Sequence, residues 1–165
     1  MSECLISINQ LTMFGFHVRD ERANTSGLIN EIGKNSEQFT IGDAVYTNAG
    51  FADVAGATQR LLGFANEGKT FASDNETVAQ DTLEMVPAYE GFKFECDMSA
   101  AITQADVGKY ATLTGATGAQ QLDQTSLSTT VGQFRIAELD PRGESSTTRV
   151  LAEVTFRAST TAAAS

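Results

Sequence analysis

The stretch GQFRIAELDPRGESSTTRVLAEVTF, Gly132 to Phe156, carries two runs of alternating character around a turn. In the first run Phe134 and Ile136 fall on one face, with Gln133, Arg135 and Ala137 on the other. Successive side chains of a strand point to opposite faces, so this two-residue period marks a half-buried strand. Leu139 is out of register with Phe134 and Ile136, which places a bulge near Ala137–Glu138. Asp140-Pro141-Arg142-Gly143 suits a type I turn, with Asp first, Pro second and Gly fourth. The second run sets Val150, Ala152, Val154 and Phe156 against Arg149, Leu151, Glu153, Thr155 and Arg157. Together the two runs predict an antiparallel hairpin.

Other segments repeat the theme. GFKFECDM alternates strictly, with Phe92, Phe94, Cys96 and Met98 opposite Lys93, Glu95 and Asp97. Strands are predicted at Ala44–Thr47 and near Phe51–Val54, joined by Asn48-Ala49-Gly50, where Gly supplies the positive φ that such loops need. Arg60–Ala65 reads as a further strand, and Tyr110–Leu113 begins another. One helical turn is predicted in ITQADVGKY, where Thr103 suits the N-cap, Asp106 follows three residues on and Gly108 closes the turn. Some eight short strands with little helix define a mostly β chain, an antiparallel sandwich or barrel. The β-rich domain is expected over 37–157, followed by a low-complexity tail at 158–165.

Residues 1–36 differ in character. Apolar residues stand at Leu11 and Met13, then Phe14, Phe16 and Val18 alternate with Gly15 and His17, and a polar stretch with few anchors follows. One reading is an ordinary edge strand and loop. The other is an extended arm that pairs with another chain, since a free strand edge is a template for β-augmentation.

Composition limits the partners. The chain has 165 residues and a net charge of -10. Nucleic-acid binding needs clustered Lys and Arg, and the 11 basic residues here are scattered, so neither nucleic acid nor an anionic membrane surface is expected as a partner. Leu, Ile, Val and Phe supply 37 of 165 residues, and there is no Trp. So thin an apolar supply gains from burial against neighbours, and an oligomer or assembly component is expected. Cys4 and Cys96 lie far apart and are expected as free thiols. No signal-peptide pattern opens the chain and no apolar run spans a bilayer, which predicts intracellular synthesis. The sequons at Asn24 and Asn75 are then expected to be chance matches.

No catalytic constellation emerges, and neither an enzyme nor a cofactor is expected. His17 is the single histidine and has no nucleophile motif beside it. Two distant Cys and one His lack metal-ligand spacing. Gly115-Ala116-Thr117-Gly118 lacks the Lys and the strand–helix setting of a phosphate loop and reads as a turn.

Three segments in order, FTIGDAVYTNAGF…RLLGFA, ITQADVGKYATLTGATG and GQFRIAELDPRGE…TRVLAEVTF, resemble the decoration (cement) proteins of tailed-bacteriophage capsids. The similarity runs from about Phe39 to Phe156. It implies a small β-barrel, β-tulip-like or sandwich domain on the outside of a virion. Such a protein would bind the major capsid protein, often as a homotrimer, and clamp neighbouring capsomers, frequently through an N-terminal arm. On that reading Leu11, Met13, Phe14, Phe16 and Val18 are the expected capsid-facing anchors. The alternative for each is a place in the core or a trimer interface. Rival functions are a tail or head–tail connector component, a carbohydrate-binding sandwich with Tyr46, Phe51 and Tyr89 as weak candidates, and a β-rich trimeric hydrolase.

Overall fold

The structure is a computed structural model that describes residues 15–18, 27–139 and 148–155. In chain order its strands begin with β1 (His17–Val18), β2 (Ile29–Ile32), β3 (Gln38–Phe39), β4 (Ala44–Asn48), β5 (Phe51–Val54), β6 (Gly63–Ala65) and β7 (Lys69–Thr70). They continue with β8 (Thr82–Pro87), β9 (Lys93–Asp97), β10 (Tyr110–Ala111), β11 (Leu113–Thr114), β12 (Gln121–Leu122), β13 (Phe134–Leu139) and β14 (Arg149–Val154). Two five-stranded antiparallel sheets dominate. The first runs β1-β9-β14-β13-β10 and the second β2-β8-β6-β4-β5, with small ladders β3-β7 and β11-β12 beside them. The fold is mostly β and sandwich-like, with no closed barrel among the described residues.

The β13–β14 pair sits where the alternation predicts it, and its register shifts between Ile136 and Glu138, so Ala137 is the bulged residue. Phe134, Ile136, Val150, Ala152 and Val154 turn inward and are buried. Across from them, Ala44 and Phe64 of the second sheet enter the same core. Four phenylalanines form its centre: the Phe64 ring lies 4.2 Å from Phe94, and Phe16 lies 4.8 Å from both Phe64 and Phe134. Each such side chain contributes roughly 1.5–3 kcal/mol on burial. Phenylalanine thus carries much of what the modest aliphatic content leaves undone.

Neighbouring strand residues point to opposite faces, and the second sheet is buried on both. Val45, Ala65, Leu83 and Met85 face away from the first sheet and pack with Phe39 and Phe71 from the β3–β7 region. The Phe39 and Phe71 rings meet edge to face at 5.9 Å. A single parallel bridge, Gly33 to Ala52, brings the chain just past β2 against β5 and curls this sheet. Only glycine fits there, because a Cβ on Gly33 would lie 2.2 Å from the Phe71 ring.

The domain reaches further toward the N-terminus than residue 37. β1 is an edge strand of the first sheet and β2 of the second, so parts of the stretch expected to be an arm are built into both. The segment Ile29–Ile32 lacks strict alternation, yet Ile29 packs on the second core opposite Met85. Leu11, Met13 and Phe14, the Asp140–Gly143 turn, the Asn24 sequon, Cys4, Phe156 and the tail lie outside the described residues.

The predicted helical turn is a short 3-10 segment at Gln104–Asp106. The Asp106 carboxylate accepts the Thr103 N–H at 2.8 Å and the Thr103 hydroxyl at 3.1 Å, and Lys109 donates to it at 2.7 Å. Lys109 first, then the Thr103 N–H, hold the Asp106 carboxyl down to about 2. A depressed carboxylate stabilises the fold above its ordinary value and loses that contribution as pH falls through the folded value. The turn should therefore loosen between about pH 4 and pH 2. Thr103 amide exchange in the native chain and in Asp106→Asn should draw together as pH falls from about 4 to about 2. A difference that persists unchanged to that pH would refute the assignment.

Candidate functional site

Two places in the fold gather more than packing. The first is the root of the N-terminal segment. Gly15 (φ +105°) and Gly42 (φ +88°) pack backbone to backbone, and a Cβ on Gly15 would lie 3.0 Å from the Gly42 carbonyl. This close approach lets the Phe16 N–H donate to the Gly42 oxygen at 2.9 Å. The Phe16 ring then enters the core, and the next two residues pair with β9, His17 opposite Glu95 and Val18 opposite Phe94.

Of the five expected anchors, Phe16 is therefore an inward-facing core residue, 3% exposed, and offers nothing to a capsid surface. The reason is geometric: the alternation that made Phe16 look like one of a row also points it between the sheets. Val18 is placed by its backbone pairing alone. The turn that receives the segment is held by Asp43, whose buried carboxylate accepts N–H groups from Thr40 at 2.8 Å and Gly118 at 2.9 Å. Burial pushes the Asp43 carboxyl up, and the two N–H groups oppose that. The Gly115–Gly118 turn thus spends its Gly118 N–H on a carboxylate of the same chain.

The second place is a polar row across the curled end of the second sheet. The β4–β5 turn uses two residues, Ala49 (φ +52°) and Gly50 (φ +92°), with Asn48 paired to Phe51. Positive φ at both positions suits the right-handed twist of a hairpin. Asn48 is thereby a strand residue on the same face as Tyr46 and Asp53, and the Gly33–Ala52 bridge brings Lys34 beside Asp53.

Oδ2 of Asp53 accepts from Lys34 Nζ at 2.7 Å, Asn48 Nδ2 at 2.8 Å and the Tyr46 hydroxyl at 3.3 Å. Oδ1 accepts the Val54 N–H at 2.9 Å. Burial by itself would raise the Asp53 carboxyl, but the donors, Lys34 foremost, outweigh it and hold the group below its ordinary value. Glu37 moves the other way, raised by burial and by the negative charge of Asp53. Spacing alone does not bring this row together, because Asn48 reads as part of the connection between two strands and Lys34 as part of a polar stretch. The short turn at Ala49-Gly50 was the available signal.

The remaining sequence candidates serve the fold. Asn75 is fully buried; its amide donates to the Gly33 and Asp81 carbonyls at 2.6 and 3.0 Å and accepts the Asp81 N–H at 2.9 Å. That sequon is closed to a glycan in the folded chain. Cys96 is a buried free thiol, pushed well up by burial. Among the aromatic candidates, Tyr46 is committed to Asp53, Phe51 is half-buried, and Tyr89 is exposed with its ring against Phe92 at 5.4 Å. Among the described residues no group of three His, Cys, Asp or Glu side chains could hold a metal ion, and no helix is long and apolar enough to cross a membrane.

No protein-family model, curated protein or solved structure matches the chain.

Proposed function

We propose that this protein is a structural virion component that binds the outer surface of a phage capsid and bridges neighbouring capsomers. It would act as a homotrimer against the major capsid protein. The observation that carries the reading is the root at Gly15–Val18. The N-terminal segment is tied into the core by one ring and into a sheet edge by two residue pairs, so a load on residues 1–14 passes directly to the sandwich. Leu11, Met13 and Phe14 stand immediately before that root in sequence and are the remaining candidate anchors. The three segments that resemble decoration proteins supply the β4–β5 hairpin, the Thr103–Thr114 region and the β13–β14 hairpin, which frame the same core.

The mechanism is mass action. A ligand that binds only the assembled shell stabilises it, and many copies that each cross a subunit boundary make separation cost many contacts at once. The test is co-sedimentation with expanded, undecorated capsids, comparing the whole chain with one lacking residues 1–14. The whole chain should saturate at a copy number set by the lattice, and the shortened chain should lose at least tenfold in affinity while unfolding at the same temperature. No binding by the whole chain would overturn the capsid reading. Equal binding by both would remove the segment from it.

A further inference from the structure

The Lys34–Asp53–Asn48 row places an amine, a carboxylate and a primary amide on one oxygen, and the capsid reading makes no use of it. We propose that it forms an intramolecular isopeptide bond, in which Lys34 Nζ becomes bonded to Asn48 Cγ and ammonia is released. Both nitrogens hydrogen-bond to Asp53 Oδ2, at 2.7 and 2.8 Å, so the nucleophile and the leaving group share one proton carrier. The shared carboxylate holds the amine and the amide side by side and so supplies proximity, while its pairing with Lys34 keeps the amine protonated until alkali frees it. Tyr46 and Val54 fix the carboxylate from the other sides.

The step balances without any co-reactant. Asp53 takes a proton from the Lys34 ammonium, and the freed lone pair attacks the Asn48 amide carbon. Asp53 then gives that proton to Nδ2 as the carbon–nitrogen bond of the side chain breaks. The departing ammonia takes the second proton from the new amide nitrogen, so an alkylammonium and a primary amide become a secondary amide that stays and an ammonium ion that leaves.

Geometry also assigns the roles. Asp53 accepts from both partners and is held ionised by its donors, which makes it a poor electrophile and leaves its uptake of the Lys34 proton as the slow step. The groups that face the Lys34 amine are Asp53, Tyr46 and Glu37, and the hydrogen bond to Asp53 chiefly keeps that amine protonated. The reaction is accordingly slow at neutral pH and faster in alkali. Its product would tie the end of β4 to the chain beyond β2, where the Gly33–Ala52 bridge now brings the two edges of the curled sheet together.

The experiment is the intact mass of the purified full chain during incubation at pH 7 and pH 9, with Lys34→Arg alongside and circular dichroism to follow folding. The native chain is expected to become lighter by one ammonia, sooner at pH 9, and its digest to contain a Lys34–Asn48 linked peptide; Lys34→Arg should keep its full mass. Unchanged mass in a folded native chain would overturn the proposal. Loss of one water with a Lys34–Asp53 link would overturn the assignment of Asn48 as electrophile.

Discussion

Replacing Gln120 by leucine should destabilise the fold by roughly 4 kcal/mol, a large part of the 5–15 kcal/mol that holds a domain together. Gln120 is 1% exposed, and its side-chain amide stands in for a strand. Its Oε1 accepts the Ala44 N–H at 2.5 Å, and its Nε2 donates to the Ala55 carbonyl at 2.6 Å. Just past β5 the Ala55 N–H still donates to the Ala44 carbonyl at 2.8 Å, and the Gln120 amide takes the place of the reciprocal ladder bond. Leucine has similar bulk, so the substitution opens little cavity but strands a buried donor and a buried acceptor, each costing about 1–3 kcal/mol. Urea unfolding with an unchanged slope and a lowered midpoint is the expected result. A loss under about 1 kcal/mol would mean that relaxed backbone or entering water satisfies both groups.

Gln120 also marks the limit of what alternation reveals. The period-two runs at Phe92–Met98, Phe134–Leu139 and Arg149–Val154 report a strong physical bias, since a slip by one residue would expose a whole apolar face. Even the bulge at Ala137 is readable, because it shows as a break in that period. Burial of the polar face is not readable. Gln133 falls on the face opposite Phe134 by alternation, yet it is 3% exposed because the 56–59 loop folds over it and takes its Nε2 hydrogens at Gly56 and Gln59. Glu95 is likewise outward by alternation and buried in fact.

The second core was hidden for a different reason. β3 and β7 have two residues each, too few to show any period, and Phe39 and Phe71 meet only through the pairing of those two short strands, over which the curl brings Gly33 against the Phe71 ring. The Lys34–Asp53–Asn48 row depends on that same curl, so its three residues could not be associated from spacing alone. Sequence pattern thus describes each strand and is silent on contacts made by the curvature of a sheet.

Phe16→Ala should lower stability by about 3–5 kcal/mol and should release the N-terminal segment at the same time. The ring stacks on Phe134 with an interplanar angle of 14° and leans on Phe64, so its removal leaves a void shared by both sheets. Core truncations of this kind combine lost transfer energy with an unfilled cavity, and the surrounding rings can relax only in part. Without the ring, β1 keeps its residue pairs with β9 and the Phe16–Gly42 hydrogen bond, and so short an edge strand should fray. Amide exchange at His17 and Val18 should rise to the level of an unstructured segment at temperatures where the rest of the sheet stays protected. If the protein clamps capsids as proposed, capsid affinity should fall with it even though Leu11, Met13 and Phe14 are intact, because a released segment must be ordered again on binding. The opposite pattern, lost capsid binding with undiminished stability, would place Phe16 on a contact surface and refute its role in the core.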